Sequence, residues 1–295
     1  MAWITLVVLI GWAIISPRCH ALDQVSKKVI IPIGVYNEHL APFQLALHEG
    51  QCPSVLEYPL DDNQVLVEFL ILCEALQIGG LQPQFEFNKA PDYMRLVRSS
   101  GLSYIVMPGF AVWERDIDTA LFYVSDPLLK PGEFSKGIYT TPANTALLKI
   151  KNVAELRNYV VVSNSNWHHD KREIDCMGLK SINTLNPITM ARMIEAGRGD
   201  FLLFPFHKAE DLSGRVGNIR LVPVPNMKVV FNDSLHFIVS KQHPQGLLVF
   251  QALQKGLKVL ATNGTVHNAY KRIGFFNPSV DTWESYGCIN ESAKK

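Results

Sequence analysis

The stretch RLVRSSGLSYIVMPGFAVWERD, Arg95 to Asp116, decides the fold. Its front end, with Tyr93 to Ser100, reads as a short helix that Gly101 stops. Ser103 to Met107 is apolar and β-forming and reads as a strand, and Pro108-Gly109 turns the chain into a loop that carries Trp113 and Arg115. Helix, strand and then a polar loop at the carboxyl end of that strand is the unit of a parallel α/β sheet, whose ligands sit at the carboxyl ends of the strands.

The same grammar extends in both directions. Upstream, VIIPIGV (Val29 to Val35) is a first strand running into the turn-like Tyr36-Asn37-Glu38. A helix from Val65 to Gln77 follows the cap candidates Asp61-Asp62-Asn63, stops at Gly79-Gly80, and leads into a strand from Gln82 to Phe87. Downstream, Tyr159 to Val162 is a strand opening into the polar loop Ser163-Asn164-Ser165-Asn166-Trp167. With a helix from Ile188 to Ala196, the strands Phe201 to Phe204 and Ile219 to Val224 give the centre of the chain a sheet of its own, and a strand His236 to Val239 opens its last part. Near the end, Phe250, Leu253, Leu257 and Leu260 mark one face of a helix that Pro244 opens and Asn263-Gly264 stops, and a second helix runs from Thr265 to Arg272.

Composition sets the class. With 28 Lys and Arg against 27 Asp and Glu, the formal net charge is +1, and there is no basic run to grip nucleic acid or an anionic membrane surface. The apolar run Trp3 to Ser16 is too short to span a bilayer; with Pro17 and Cys19-His20-Ala21 behind it, it reads as a signal peptide cleaved after Ala21, with an uncleaved anchor as the alternative because no Lys or Arg precedes the run, and it places the protein in the periplasm. Four cysteines then remain, Cys52, Cys73, Cys176 and Cys288, and an oxidising compartment is expected to join at least one pair. Three connectivities are open, and Cys73, inside an apolar helix, reads equally as a buried thiol.

The order of these pieces resembles the type 2 periplasmic solute-binding proteins, in particular the extracellular family 3 group. The local matches are the first strand leading to Ala41-Pro42-Phe43, the segment ending in Glu114-Arg115, then Ser125-Asp126-Pro127, the turn Glu195-Ala196-Gly197-Arg198-Gly199-Asp200, and Asn263-Gly264-Thr265. The resemblance implies two α/β lobes joined by two hinge strands around a ligand cleft. The expected limits are residues 1–21 for the signal peptide, 22–138 for the first part of lobe 1, 139–234 for lobe 2, and 235–295 for the return to lobe 1. The crossings are expected near Gly137 to Thr141 and Asp233 to Phe237.

The same resemblance implies capture of a small polar, anionic ligand by a monomer that hands it to an ABC importer permease or a membrane sensor, without a cofactor. Arg115 is the expected carboxylate clamp, because a guanidinium offers a planar fork of donors. Its competing partners are Glu114, Asp116 and Asp118. Ser165 and Asn166 are expected to present small polar groups at a helix start, Trp113 and Trp167 to stack from opposite lobes, and Tyr36 and Phe110 to complete the site from strand ends. The sequence departs from the amino-acid binders at Leu40, Pro108, Phe110 and Pro205, which argues against an ordinary α-amino acid. The adjacent His168-His169-Asp170 lacks a spaced third ligand and reads as a helix start rather than a metal site. A dehydratase or lyase on the same scaffold, acting on a small carboxylate, is the alternative from another class.

Overall fold

The computed structural model describes residues 27–47, 50–60 and 63–288. The expected signal peptide and its cleavage point lie outside them. The first lobe begins with β1 (Lys27–Tyr36), α1 (Leu40–Ala46), α2 (Gln64–Ile78), β2 (Leu81–Ala90), α3 (Tyr93–Gly101), β3 (Met107–Pro108), β4 (Val112–Trp113) and β5 (Phe122–Val124). β1 is the central strand of a parallel sheet of order β2-β1-β3, and Val29, Ile31, Ile33 and Val35 are all buried. α2 is apolar nearly all round and buried from Leu66 to Cys73, as a helix enclosed on every side must be. The Asn63 side chain accepts from the Leu66 N–H and fixes where α2 starts.

The second lobe holds β6 (Phe134–Thr140), α4 (Val153–Leu156), β7 (Val160–Asn164), α5 (His168–Cys176), β8 (Lys180–Thr184), α6 (Pro187–Glu195), β9 (Leu202–Pro205), β10 (Gly214–Val216) and β11 (Ile219–Phe231). Its main sheet runs β10-β11-β6-β9, with β7 and β8 paired in parallel. The chain returns through β12 (Leu235–His236) and β13 (Ile238–Ser240), which pair with β4 and β5. Then come α7 (Gly246–Thr262), α8 (Thr265–Arg272) and β14 (Glu284–Tyr286). α7 lies against α2 so closely that a Cβ on Gly256 would overlap the Ala75 carbonyl, and one on Gly79 would overlap that of Ala252.

Several expectations shift. The strand placed at Ser103 to Met107 is only Met107–Pro108, because Ser103 sits at a positive φ of 56° and the chain before Val106 is still turning. Ser163 and Asn164 belong to β7 rather than to the loop after it. β11 runs on to Phe231 instead of ending near Val224, absorbing Pro225 and Asn226 in an irregularity between Pro223 and Lys228. Gly137 to Thr140, expected as a crossing, lies inside the second lobe's sheet between β9 and β11. An earlier and a later segment run side by side where Leu128 N–H donates to Leu235 O and Leu235 N–H to Leu129 O. The C-terminal stretch does not stay with the first lobe: β14 pairs with β11.

Both pairs of the described cysteines are bridged, Cys52 to Cys73 and Cys176 to Cys288, so Cys73 is not a free thiol. The first bridge pins the segment before α2 to that helix. The second ties Cys288, just beyond β14, to the last residue of α5.

Candidate functional site

A cavity of about 620 Å³ lies where the two lobes face each other, within the usual size for a small-molecule site. The elements bordering it are the carboxyl ends of β1, β2, β7 and β8 and the first turns of α2, α3, α5 and α6. That placement follows from parallel strands feeding helices, which leaves strand ends and helix N-termini on one rim.

On the first lobe, Tyr36 at the end of β1 stacks on Phe110, with ring centroids 4.7 Å apart and planes 11° from parallel, and Tyr93 at the start of α3 lies 6.0 Å from Phe110. Burial pushes both tyrosine hydroxyls well above their ordinary range, helped by carboxylates nearby, so both stay protonated. Behind them Glu68 of α2 is fully enclosed. Its oxygens accept from Ala111 N–H at 3.0 Å, Gln64 Nε2 at 2.7 Å and the Tyr270 hydroxyl at 3.2 Å. Burial outweighs those bonds and pushes its pKa up to about 7.

On the second lobe, Asn164 closes β7 and shapes the next turn. Its Oδ1 accepts from Asn166 N–H at 2.9 Å and its Nδ2 donates to Leu185 O at 2.9 Å. Asn186 caps α6 through the Thr189 N–H. From β6, Lys136 donates to both oxygens of Asp170 at 2.8 Å, with its ammonium 4.8 Å from the Trp167 ring and 5.4 Å from Phe231. The charge of this lysine is therefore met within its own lobe.

His169 lies where the lobes meet. Its Nε2 is 3.3 Å from Asp116 Oδ2, its Nδ1 is 3.2 Å from Asp233 Oδ2, and its ring is 4.8 Å from that of Trp113. Burial disfavours the charged ring, but the two carboxylates outweigh it and hold the imidazole above its ordinary value of 6.5. Asp116 is held below the usual carboxylate range: burial opposes this, and hydrogen bonds from His169 and from the Tyr93 hydroxyl at 2.9 Å prevail.

Of the residues singled out from the sequence, Tyr36, Phe110, Trp113, Asn166 and Trp167 line the cavity, while Arg115 and Ser165 do not. Arg115 points away, half exposed, with Nε 3.6 Å from Asp233 Oδ2. It does form an ion pair, but with none of the acids adjacent in sequence. Trp113, half-buried in the cavity wall, has the His169 ring 4.8 Å and the Phe134 ring 5.5 Å away. The sequence reading passed over Lys136, Glu68, Tyr93, Asn164 and Asn186, and it read His169 as no more than a helix start. Asn164 and Asn186 carried a usable signal, each an Asn where a strand gives way to a helix. Among the described residues no cluster of His, Cys, Asp and Glu suits a metal ion, and no helix is long and apolar enough to cross a membrane.

No family model matches the chain and no curated protein matches its sequence. Among solved structures, the periplasmic VFT2 domain of BvgS from Bordetella pertussis is similar at 14% identity, over 82% of this chain and 92% of that one, with a TM-score of 0.54. The probable amino-acid ABC transporter extracellular-binding protein ytmK from Bacillus subtilis is similar at 15% identity, over 85% and 100%, with a TM-score of 0.56. At these identities the likeness is one of fold: the chain has the two-lobed architecture of type 2 periplasmic binding proteins, also called Venus flytrap domains.

Proposed function

We propose that this protein is a periplasmic solute-binding protein, which closes its two lobes around a small polar ligand and presents it to an importer or a sensor in the membrane, without turnover. The observation that carries this reading is the cavity itself, bordered by both lobes, with aromatic walls and a few fixed polar groups. Hinge closure around a ligand is the known behaviour of this architecture. The domain limits follow the same reading, with the crossings at the paired Leu128-Leu129 and Leu235 segments.

The ligand chemistry is set by what the cavity leaves unsatisfied. With Arg115 outside and Lys136 held by Asp170, an anionic group finds no free guanidinium or ammonium there among the described residues. What faces it are the first turn of α5, whose amides end no backbone ladder, and the side chain of Asn166. A planar or apolar body packs between Tyr36 and Phe110 on one side and Trp167 on the other. The favoured ligand thus joins a flat apolar body to a small polar or anionic end.

The test is incubation of the purified protein with a fractionated metabolite extract, followed by native mass spectrometry. Stoichiometric retention of one compound that raises the melting temperature supports the proposal. Depletion of a compound with appearance of its product would make the protein an enzyme, and no retention or thermal shift from any fraction would make the cavity vestigial.

A further inference from the structure

The two adjacent histidines at the start of α5 have different surroundings, and only His169 reaches out of its own lobe. Asp116, opposite its Nε2, belongs to the first lobe and is fixed there by the Tyr93 hydroxyl. Asp233, opposite Nδ1, lies on the returning segment next to Ser234, whose N–H donates to Asp233 Oδ1 at 2.9 Å. The three side chains are 12%, 17% and 4% exposed, so water screens these contacts poorly.

A neutral imidazole carries one N–H. Nε2 meets Asp116 Oδ2 in a hydrogen bond at 3.3 Å, whereas Asp233 Oδ2 is buried without a hydrogen bond and faces Nδ1 at 3.2 Å as a charge contact, so a neutral ring turns a lone pair toward one carboxylate and only the imidazolium attracts both. The bridge between α5, the first lobe and the crossing is therefore complete only with the proton bound. We propose that His169 is a proton-operated latch: protonated, it ties the second lobe to Asp116 and Asp233, and loss of the proton frees the lobes to separate, so that cleft closure is linked to pH.

The charges around the latch are set as this requires. On the first lobe, Arg115 lies 3.6 Å from Asp233, and Glu114 is engaged by the Ser234 hydroxyl at 2.7 Å. On α5, Asp170 is held by Lys136, Glu173 lies 3.9 Å from Arg172, and His168 shares the rim with Asp116. Tyr93 stays protonated, as its position in the cavity wall dictates. Arg115 and Tyr93 each reach one of the two carboxylates, and His169 spans both.

The sign follows from linkage. Because the bridged imidazole binds its proton more tightly than a free one, whose value is 6.5, the bridge is complete below that value and is lost as the pH rises through the raised one. Closure therefore takes up a proton.

The test needs no ligand. The oxidised protein, labelled with ¹⁵N-histidine, is titrated by NMR while small-angle scattering follows its radius of gyration. The expected result is a His169 midpoint above that of a free histidine and a radius that grows as the same proton leaves. In Asp116→Asn the midpoint should fall by about one unit or more, a tenfold weaker proton affinity. In His169→Gln, whose amide lacks a titrating proton, the radius should lose its pH dependence. A His169 midpoint at or below the ordinary value overturns the latch. So does a midpoint unmoved in Asp116→Asn, a radius that ignores the titration, or a pH-dependent radius that survives in His169→Gln.

Discussion

Replacing Lys136 alone should unfold the protein more readily than replacing Lys136 and Asp170 together. The ammonium meets both Asp170 oxygens at 2.8 Å, and the two side chains are 10% and 7% exposed. Removing one member of such a pair leaves an uncompensated charge in a low-dielectric site, at a cost of about 3–5 kcal/mol. Two features temper it. Asp170 lies in the first turn of α5, where free backbone N–H groups favour a negative charge by roughly 0.3–1 kcal/mol, and in Asp170→Asn the remaining lysine keeps the Trp167 and Phe231 rings within 5.4 Å. Each single substitution, Lys136→Met or Asp170→Asn, is therefore expected at the lower end, about 3 kcal/mol. At roughly 2–4 °C per kcal/mol for a chain of this size, that is a melting point about 6–12 °C lower. The double variant should return to within about 1 kcal/mol of the parent, since no charge is left to strand. Urea unfolding of the four proteins, at low and high salt, closes the cycle, and burial should keep the coupling nearly independent of salt. If both single effects are small, additive and abolished by salt, the pair is an ordinary surface contact, and Lys136 is free to meet a ligand anion.

Three further outcomes are expected. Unreduced protein should yield no alkylated thiol from Cys52, Cys73, Cys176 or Cys288, and because the bridges close chain separations of 21 and 112 residues, loss of Cys176–Cys288 should cost about 5 kcal/mol against about 3 kcal/mol for Cys52–Cys73, read as the order of the two melting points. Glu68, protonated in the folded protein up to about pH 7 but ionised above 4.5 when unfolded, should make stability fall as pH rises between those values, and Glu68→Gln should flatten that slope in urea titrations, an effect on the order of 2–4 kcal/mol. Gly256→Ala should drive a methyl into the Ala75 carbonyl and separate α7 from α2, lowering stability by about 1–3 kcal/mol in the same assay, while Ala261→Gly at the exposed end of α7 should cost no more than about 1 kcal/mol.

The parts of the fold that could be read from the sequence are those whose causes are local. α2 starts at its Asn63 cap and ends at its glycines, and α8 spans Thr265 to Arg272 as expected, because the cap and stop residues act within one turn. β11 was not legible in full: Pro223, Pro225 and Asn226 carry the signature of a strand's end, yet β6 on one side and β14 beyond the irregularity hold the backbone extended to Phe231. β3 was misplaced for the converse reason, since Ile105 and Val106 look like strand while the positive φ at Ser103 delays the pairing with β1. The disulfide partners were beyond reach, because the spacing of four cysteines fixes no connectivity.

The site divides along the same line. Residues that line the cavity by virtue of ending a strand or opening a helix, such as Tyr36, Asn166 and Trp167, follow from chain order alone. Its electrostatics do not, because the pairs that decide them join residues far apart in sequence: Lys136 with Asp170, Arg115 with Asp233, His169 with Asp116 and Asp233. Arg115 shows the consequence. Its local sequence offered Glu114, Asp116 and Asp118 as partners, but the returning segment brings Asp233, only 4% exposed, beside it, and a buried carboxylate competes for a guanidinium better than a solvated one. Removing the arginine from the cavity also removes the simplest reason to expect a carboxylate ligand. On the function and the latch proposed above, discrimination falls to the aromatic walls, the amides at the start of α5, and a closure step governed by the proton on His169.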